Sequence, residues 1–505
     1  MNALEALLVA VYFLVLAGLF TLGIHRAVMV VLARRSERRV TAAALPPRRF
    51  ARDELPVVTI QLPIFNEATV TERLLEAASR IAYPRELLEI QVLDDSTDET
   101  RHIAEAKVAE LQRRGLDIQY IRRPSRHGYK AGALDYGLRL ARGELIAMFD
   151  ADFVPNPTFL EDIVDHFTDP AVGMVQTRWA HMNRNVNLMT EIQALMLDGH
   201  HLVEDCARFG SGCFFNFAGT GGMWRKDAIE RAGGWQHDTI TEDLDLSYRA
   251  QMTGYRFVYR PDVLTPAELP EDMSALRQQQ HRWAKGTVQT ARKLLPTVWD
   301  HEPLSLHQKV EASFHMLPHF AYPLMLLLGL LQLPTLLLLE ATDVRTMMLV
   351  DLPMCLLATG SIAAFYSYAE ARQGRSVWGA IGRLPILIGL GAGLSPYLTR
   401  AVFAGMSEMA GEFVRTPKKG EGRSRYRMSA QLPLAEFALG VLSSAATVVA
   451  LDTGHWFAAP FCALYAWGYL YVGTLLVKEQ FLSTLGAGET LETPLEAAPE
   501  TSLAA

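Results

Sequence analysis

Two blocks of apolar sequence enclose a polar one, and this split limits the chain more than any single motif does. Residues 1–33 are almost free of charge, 50–310 read as a soluble enzyme, and 313–478 are again strongly apolar. The opening run ALEALLVAVYFLVLAGLFTLGI supplies about 20 residues, enough to cross a hydrocarbon core of about 30 Å. A basic cluster, RRSERR, follows the run instead of preceding it. A secretory leader has the opposite order, so this segment reads as an uncleaved anchor with Met1 outside and residue 34 in the cytoplasm.

Four more stretches meet the length criterion for a span: about 316–339, 346–369, 434–451 and 456–477. Between them, 380–411 is apolar but interrupted by Gly389, Gly391, Gly393 and Pro396, with arginines on both flanks. If both flanks are cytoplasmic, this piece dips in and returns or lies along the interface. The polar end, 479–505, reads as a disordered cytoplasmic tail. The expected location is an integral protein of the inner or plasma membrane with its catalytic domain in the cytoplasm. A net charge of −7 argues against a nucleic-acid partner, which calls for a basic surface. Cys206, Cys213, Cys355 and Cys462 form no C-x-x-C pair, so neither a disulfide framework nor a zinc site is indicated.

The central block alternates. PVVTIQLPIF, LLEIQVLDD, DIQYIRR and ELIAMFD read as strands, separated by amphipathic helices such as TVTERLLEAASRIA and KAGALDYGLRLAR. This implies an α/β fold, a mostly parallel sheet with helices on both faces. Ligands bind such sheets beyond the carboxyl ends of the strands. Asn66 and Glu67, Asp94 and Asp95, and Asp150 and Asp152 all end strands and should share that edge.

Each motif there carries chemistry and also a plainer reading. In VLDDSTDE, Ser96 and Glu99 fit a capping box, but Asp94 and Asp95 exceed what a cap needs and suit a nucleotide. SRHGYKAGAL opens a helix with two glycines and Lys130, a surrounding that suits a diphosphate. Asp150 and Asp152, one residue apart, repel each other unless a divalent cation lies between them; Mg²⁺ is held by such carboxylates together with substrate phosphates. A solvated turn is the plainer reading of the same D-x-D. TITEDLDLSYRA places Glu242, Asp243 and Asp245 at a helix start, either as dipole partners or as a base facing the metal site. In RQQQHRWAKG, Gln279 and Arg282 share a helix face; the guanidinium suits a phosphate, and the Trp283 indole offers a platform for a sugar. His200 and Glu204, one helical turn apart, have metal-ligand spacing, but no third ligand is apparent. A G-x-S-x-G elbow is absent, which removes support for Ser/His/Asp hydrolysis.

VLDD, DAD, TED and QQHRW, in that order and flanked by apolar spans, resemble the processive membrane family 2 glycosyltransferases. QVLDDSTDET, FDADFVP and QQHRWAKG are most similar to the cellulose-synthase-like mannan and glucan synthases. The resemblance covers about residues 55–300 and implies a GT-A fold inserted between transmembrane helices. It implies inverting transfer of a hexose from a nucleotide-sugar donor, UDP-glucose or GDP-mannose, to a β-linked glucan or mannan. Asp94 or Asp95 would then contact the nucleotide base or ribose, and Lys130 would belong to the same nucleotide-sugar site. Asp150 and Asp152 would hold the diphosphate and its Mg²⁺ or Mn²⁺, Asp243 would be the general base, and Gln279 and Arg282 would face the diphosphate. Glu242 and Trp283 would face the acceptor. FVRTPK resembles the F-x-V-T-x-K gating loop of cellulose synthase, which gives Phe413, Thr416 and Lys418 a gating role, with Arg415 standing where that pattern has valine. An export accessory subunit is compatible with the same resemblance.

Two rivals remain at this level. One is a non-processive transferase adding a hexose to a lipid such as diacylglycerol or ceramide, since related enzymes carry the same Q-x-x-R-W motif. The other is a membrane receptor that binds a nucleotide without chemistry; carboxylates at every motif speak against it.

Overall fold

A computed structural model describes residues 3–43, 45–338, 352–411 and 432–488. The central sheet has seven strands: β1 (Val58–Ile64), β2 (Leu88–Asp94), β3 (Ile118–Ile121), β4 (Leu145–Met148), β5 (Val172–His181), β6 (Gly222–Arg225) and β7 (Arg256–Ala267). Their order is β3-β2-β1-β4-β6-β5-β7. All pairings are parallel except the two made by β6. The four strands expected from sequence are β1 to β4. β2 and β4 are buried along their whole length, which is why they read as nearly unbroken apolar runs.

The alternation within β1 and β2 divides the sheet's two faces. Val58, Ile60 and Leu62 pack with Leu88, Ile90 and Val92 in one core. On the opposite face Thr59 donates to Glu89 (2.6 Å) and Gln61 to Gln91 (3.1 Å), so the buried polar groups pair across the ladder. Strand order reverses between β1 and β4: the chain steps outward through β2 and β3, then returns to the other side of β1. In open α/β sheets this is where ligands bind. Phe65–Glu67 follow β1 there, and Asp150–Asp152 follow β4.

Among the described residues five helices are long and apolar enough to cross a membrane: Ala3–Ala42, Pro318–Leu338, Val377–Ser407, Leu434–Asp452 and Ala458–Leu482. A further helix, Leu352–Ala371, corresponds to the span expected at 346–369. The anchor does not end at residue 33. Its helix runs on to Ala43, carrying the basic cluster with it, and Arg39 there donates to the Gly210 carbonyl of the central domain. The helix Ala458–Gly488 likewise continues into the tail expected to be unstructured.

For the segment 380–411 the structure bears on one of the two alternatives read from sequence. The segment is one uninterrupted helix, Val377–Ser407, with Pro385 and Pro396 inside it, and so does not dip and return. The glycines that looked like breaks form a packing seam. A Cβ on Gly389 would lie 2.5 Å from the Trp467 ring, and one on Gly393 would collide with the Gly468 carbonyl oxygen. Small residues here let two helices approach closely, as is common between helices in lipid. Phe413, Thr416 and Lys418 of the gating-like loop, and the rest of 412–431, lie outside the described residues.

Candidate active site

The carboxyl ends of β1, β2 and β4 open into a cleft of about 190 Å³. Asp150 and Asp152 line it after β4, with Lys130 from the helix Tyr129–Leu140. Glu242 and Asp243 enter from the start of the helix Glu242–Met252. Gln279, Arg282 and Trp283 close it from the helix Met273–Asp300. Residues as far apart in sequence as Lys130 and Trp283 thus meet in one place.

Asp94 and Asp95 part company. Asp95 lines the cleft and is held by Arg123 through two contacts of 2.8 and 2.5 Å. Asp94 is 2% exposed and points into the fold, where it accepts from the Ser96 N–H (2.8 Å) and the Tyr120 hydroxyl (2.6 Å). It shapes the turn beneath the cleft and does not reach the cleft itself. The Ser96–Glu99 capping box does not form either. The next helix starts at Thr100, and the Ser96 hydroxyl instead accepts from the Asn66 N–H at 2.8 Å. Asn66 has φ +54°, a conformation Asn tolerates better than most residues.

Lys130 is the cation at the centre. Its Nζ lies 2.5 Å from Asp150 Oδ1 and donates to the Gly219 carbonyl at 3.0 Å. Burial alone would lower its pKa, but Asp150, Glu242 and Asp243 outweigh burial and raise it. Burial pushes the Glu242 and Asp243 carboxyls above the ordinary range, and Lys130 opposes the rise. Burial draws the Arg282 guanidinium down to about 10, against the opposing charges of Asp150, Glu67, Glu242 and Asp152. Asp245, by contrast, is fully buried and paired with Arg249 (2.5 Å) and Lys293 (2.8 Å), away from this group. It anchors the helix that presents Asp243.

The Gly219–Gly221 loop was not singled out from sequence, although two glycines ahead of a strand signal a close backbone approach. Gly219 has φ +82°, and a Cβ there would come within 3.0 Å of Asp243 Oδ2. Only a bare backbone leaves that carboxylate room. Arg126 and Trp179 also line the cleft without having been marked in the sequence. The Arg126 guanidinium sits 3.4 Å from the Phe65 ring centroid, at the end of the cleft near Asp95.

A second cavity, about 710 Å³, adjoins the first. Its walls come from the long apolar helices, from Tyr12 and Phe13 at one end of the chain to Tyr465 at the other. Asp243, Gln279, Trp283 and Trp179 line both spaces, so the two meet at the proposed base and the indole. The donor set in the cleft fits a hard divalent ion. Carboxylates outnumber cations among the lining residues, and Asp150 and Asp152 offer oxygens on the side of Arg282.

A family model described as glycosyltransferase-like family 2 matches residues 56–286. A probable glucomannan 4-beta-mannosyltransferase 7 of Oryza sativa subsp. japonica is 40% identical over 274 residues, covering 53% of this chain and 46% of that protein. Glucomannan 4-beta-mannosyltransferase 1 from the same plant is 36% identical over 310 residues, covering 59% of each chain. The chain thus spans about half the length of the curated relatives it matches. Among solved structures, a mannosyltransferase from Pyrobaculum calidifontis in complex with GDP-mannose and Mn²⁺ aligns with a TM-score of 0.49 at 22% identity, covering 77% of this chain and 99% of that one. Residues 56–286 of this chain are therefore similar to the glycosyltransferase-like family 2.

Proposed function

We infer that the chain is an inverting membrane hexosyltransferase that extends a β-linked mannan- or glucan-type chain from a nucleotide-diphosphate sugar. The observation that carries this reading is the position of Asp243. It stands where a polar, cation-bearing cleft suited to a donor meets a long cavity suited to an acceptor. The names of the relatives, β-mannosyltransferases of glucomannan, favour GDP-mannose over UDP-glucose.

The nucleotide would lie toward Asp95 and Phe65, with its diphosphate beside Lys130 and Arg282. Asp150 and Asp152 would hold Mg²⁺ or Mn²⁺, which supplies charge neutralisation of the leaving diphosphate. The acceptor sugar would rest on the Trp283 ring with its hydroxyl at Asp243. Asp243 then takes the hydroxyl proton as the oxygen attacks the anomeric carbon from the face opposite the diphosphate. The new C–O bond forms as the old one breaks, the bonding pair leaves with the diphosphate, and an α-linked donor yields a β-linkage. The raised pKa of Asp243 suits a carboxylate that must accept a proton during the step. The basic flank of the anchor supports a cleft on the cytoplasmic side.

A second acceptor class is favoured by one observation. The larger cavity draws most of its wall from apolar helices long enough to cross a membrane, which also suits a lipid acceptor. Incubation of the detergent-solubilised chain with labelled GDP-mannose and UDP-glucose separates the two. Polymer retained on size fractionation supports the synthase, organic-soluble label supports a glycolipid product, and hydrolysis alone with either donor refutes both.

A further inference from the structure

The wall of the larger cavity carries a side-chain cluster that the transfer chemistry does not use. Between the helices Leu188–Gly199 and Cys206–Ser211, residues His200–Asp205 form a π-helical stretch. Such insertions in α-helices frequently occur at functional sites. This one sets two imidazoles and two carboxylates together: His200 Nδ1 is 2.9 Å from Glu204 Oε2, and His201 Nδ1 is 3.0 Å from Asp205 Oδ2. The same Asp205 oxygen faces His200 Nε2 at 3.7 Å, too far for a hydrogen bond.

With its Nδ1–H given to Glu204, neutral His200 turns the Nε2 lone pair toward a carboxylate oxygen. Two lone pairs facing each other repel unless a positive charge, a proton on His200 or a metal ion, stands between them. Arg208 does not supply it, because it pairs with Glu311 (3.0 Å) and Glu204 (3.5 Å). Asp205 and His201 are 2% and 1% exposed, yet Asp205 Oδ1 and His201 Nε2 have no hydrogen-bond partner among the described residues. Buried polar atoms left this way are costly.

We propose that His200, His201 and Asp205 hold one divalent transition ion, zinc by the character of the donors. At zinc bond lengths of about 2.0–2.2 Å, neighbouring donor atoms of a tetrahedral site lie roughly 3.3–3.5 Å apart. The separations of 3.0 and 3.7 Å bracket that value, and one donor atom from each of the three residues falls within 4.8 Å of the others. Glu204 plays the orienting part, since a metal-bound imidazole commonly donates its other N–H to a carboxylate. Two imidazoles and one carboxylate favour zinc over Mg²⁺, which separates this site from Asp150 and Asp152. His200 and His201 line the cavity, so the remaining coordination position opens toward it.

The test uses the full, tag-free chain in detergent, stripped by a chelator, loaded with ZnCl₂ or CoCl₂ alone, dialysed and analysed for metal content and visible absorption. The expected result is one zinc per chain and a visible Co²⁺ spectrum. His200→Ala and Asp205→Asn should abolish both, and Asp152→Asn should keep them. Glu204→Gln should weaken binding by about 10–100-fold. Wild-type chain that retains neither ion overturns the proposal without reference to any variant. So does metal retained equally by the His200→Ala and Asp205→Asn chains.

Discussion

The small cleft and the large cavity share a border but are made differently. The cleft is assembled from strand ends and helix starts, and charged side chains of both signs converge on it. The cavity is assembled from long helices at both ends of the chain, and its lining is dominated by apolar and aromatic side chains with scattered polar groups. In the first, function depends on a few charges balanced in a buried space, where removing one is felt at once. In the second, it depends on the shape left between packed helices, where many contacts contribute a little. Asp243 and Trp283 belong to both regions, and substitutions there should show which property matters.

The largest effect is expected from Asp243→Asn. Loss of a positioned general base costs typically 10²–10⁴-fold. Transfer should fall by about that factor while titration calorimetry finds donor binding nearly unchanged. A parallel loss of donor affinity would place Asp243 in the cleft's charge balance instead. Trp283→Ala comes next. Loss of ring stacking worth about 0.5–1.5 kcal/mol beyond buried area predicts a rise of up to roughly tenfold in the acceptor KM, with the donor KM little changed. Equal shifts in both constants would erase the distinction between the two regions at this residue.

A smaller effect lies in the pH profile. Burial raises the Asp243 pKa, and a base works only when deprotonated, so activity should fall on acidification at a pH above the ordinary aspartate range. An acid limb at or below that range would show that the carboxylate is more open to water than the structure has it. The smallest effect on chemistry is expected in the helix seam at Gly389, behind the cavity wall. Gly389→Ala puts a methyl 2.5 Å from the Trp467 ring. Overpacking of this kind costs about 1–3 kcal/mol. Thermal unfolding in detergent should register it, while donor binding in the cleft stays as it was.

The two regions were also unequally legible in the sequence. β1, β2 and β4 could be read because parallel strands covered on both faces must be continuous apolar runs, and the carboxylates ending them stand out against that background. Which member of an adjacent pair reaches the cleft could not be read. Asp94 and Asp95 differ only in the face to which the strand's end directs them, and Tyr120 on β3, which claims Asp94, is distant in sequence. The Ser96 cap failed for a similar reason: Asn66 from the neighbouring turn took the hydroxyl. Gly389 and Gly393 looked like breaks because local propensity cannot see Trp467 and Gly468 pressed against them. The cavity left no local signature, since its walls come from segments hundreds of residues apart that share only the property of being apolar.

The most direct test of the account is the anomeric configuration of the first bond the enzyme makes. Single displacement at Asp243, with the acceptor arriving from the cavity and the diphosphate leaving toward Lys130 and Arg282, yields a β-linkage from an α-linked nucleotide sugar. NMR of the product from ¹³C-labelled donor should show β anomeric signals alone. An α-linkage would mean retention of configuration, and the arrangement of base, donor and acceptor proposed for these two spaces would be wrong.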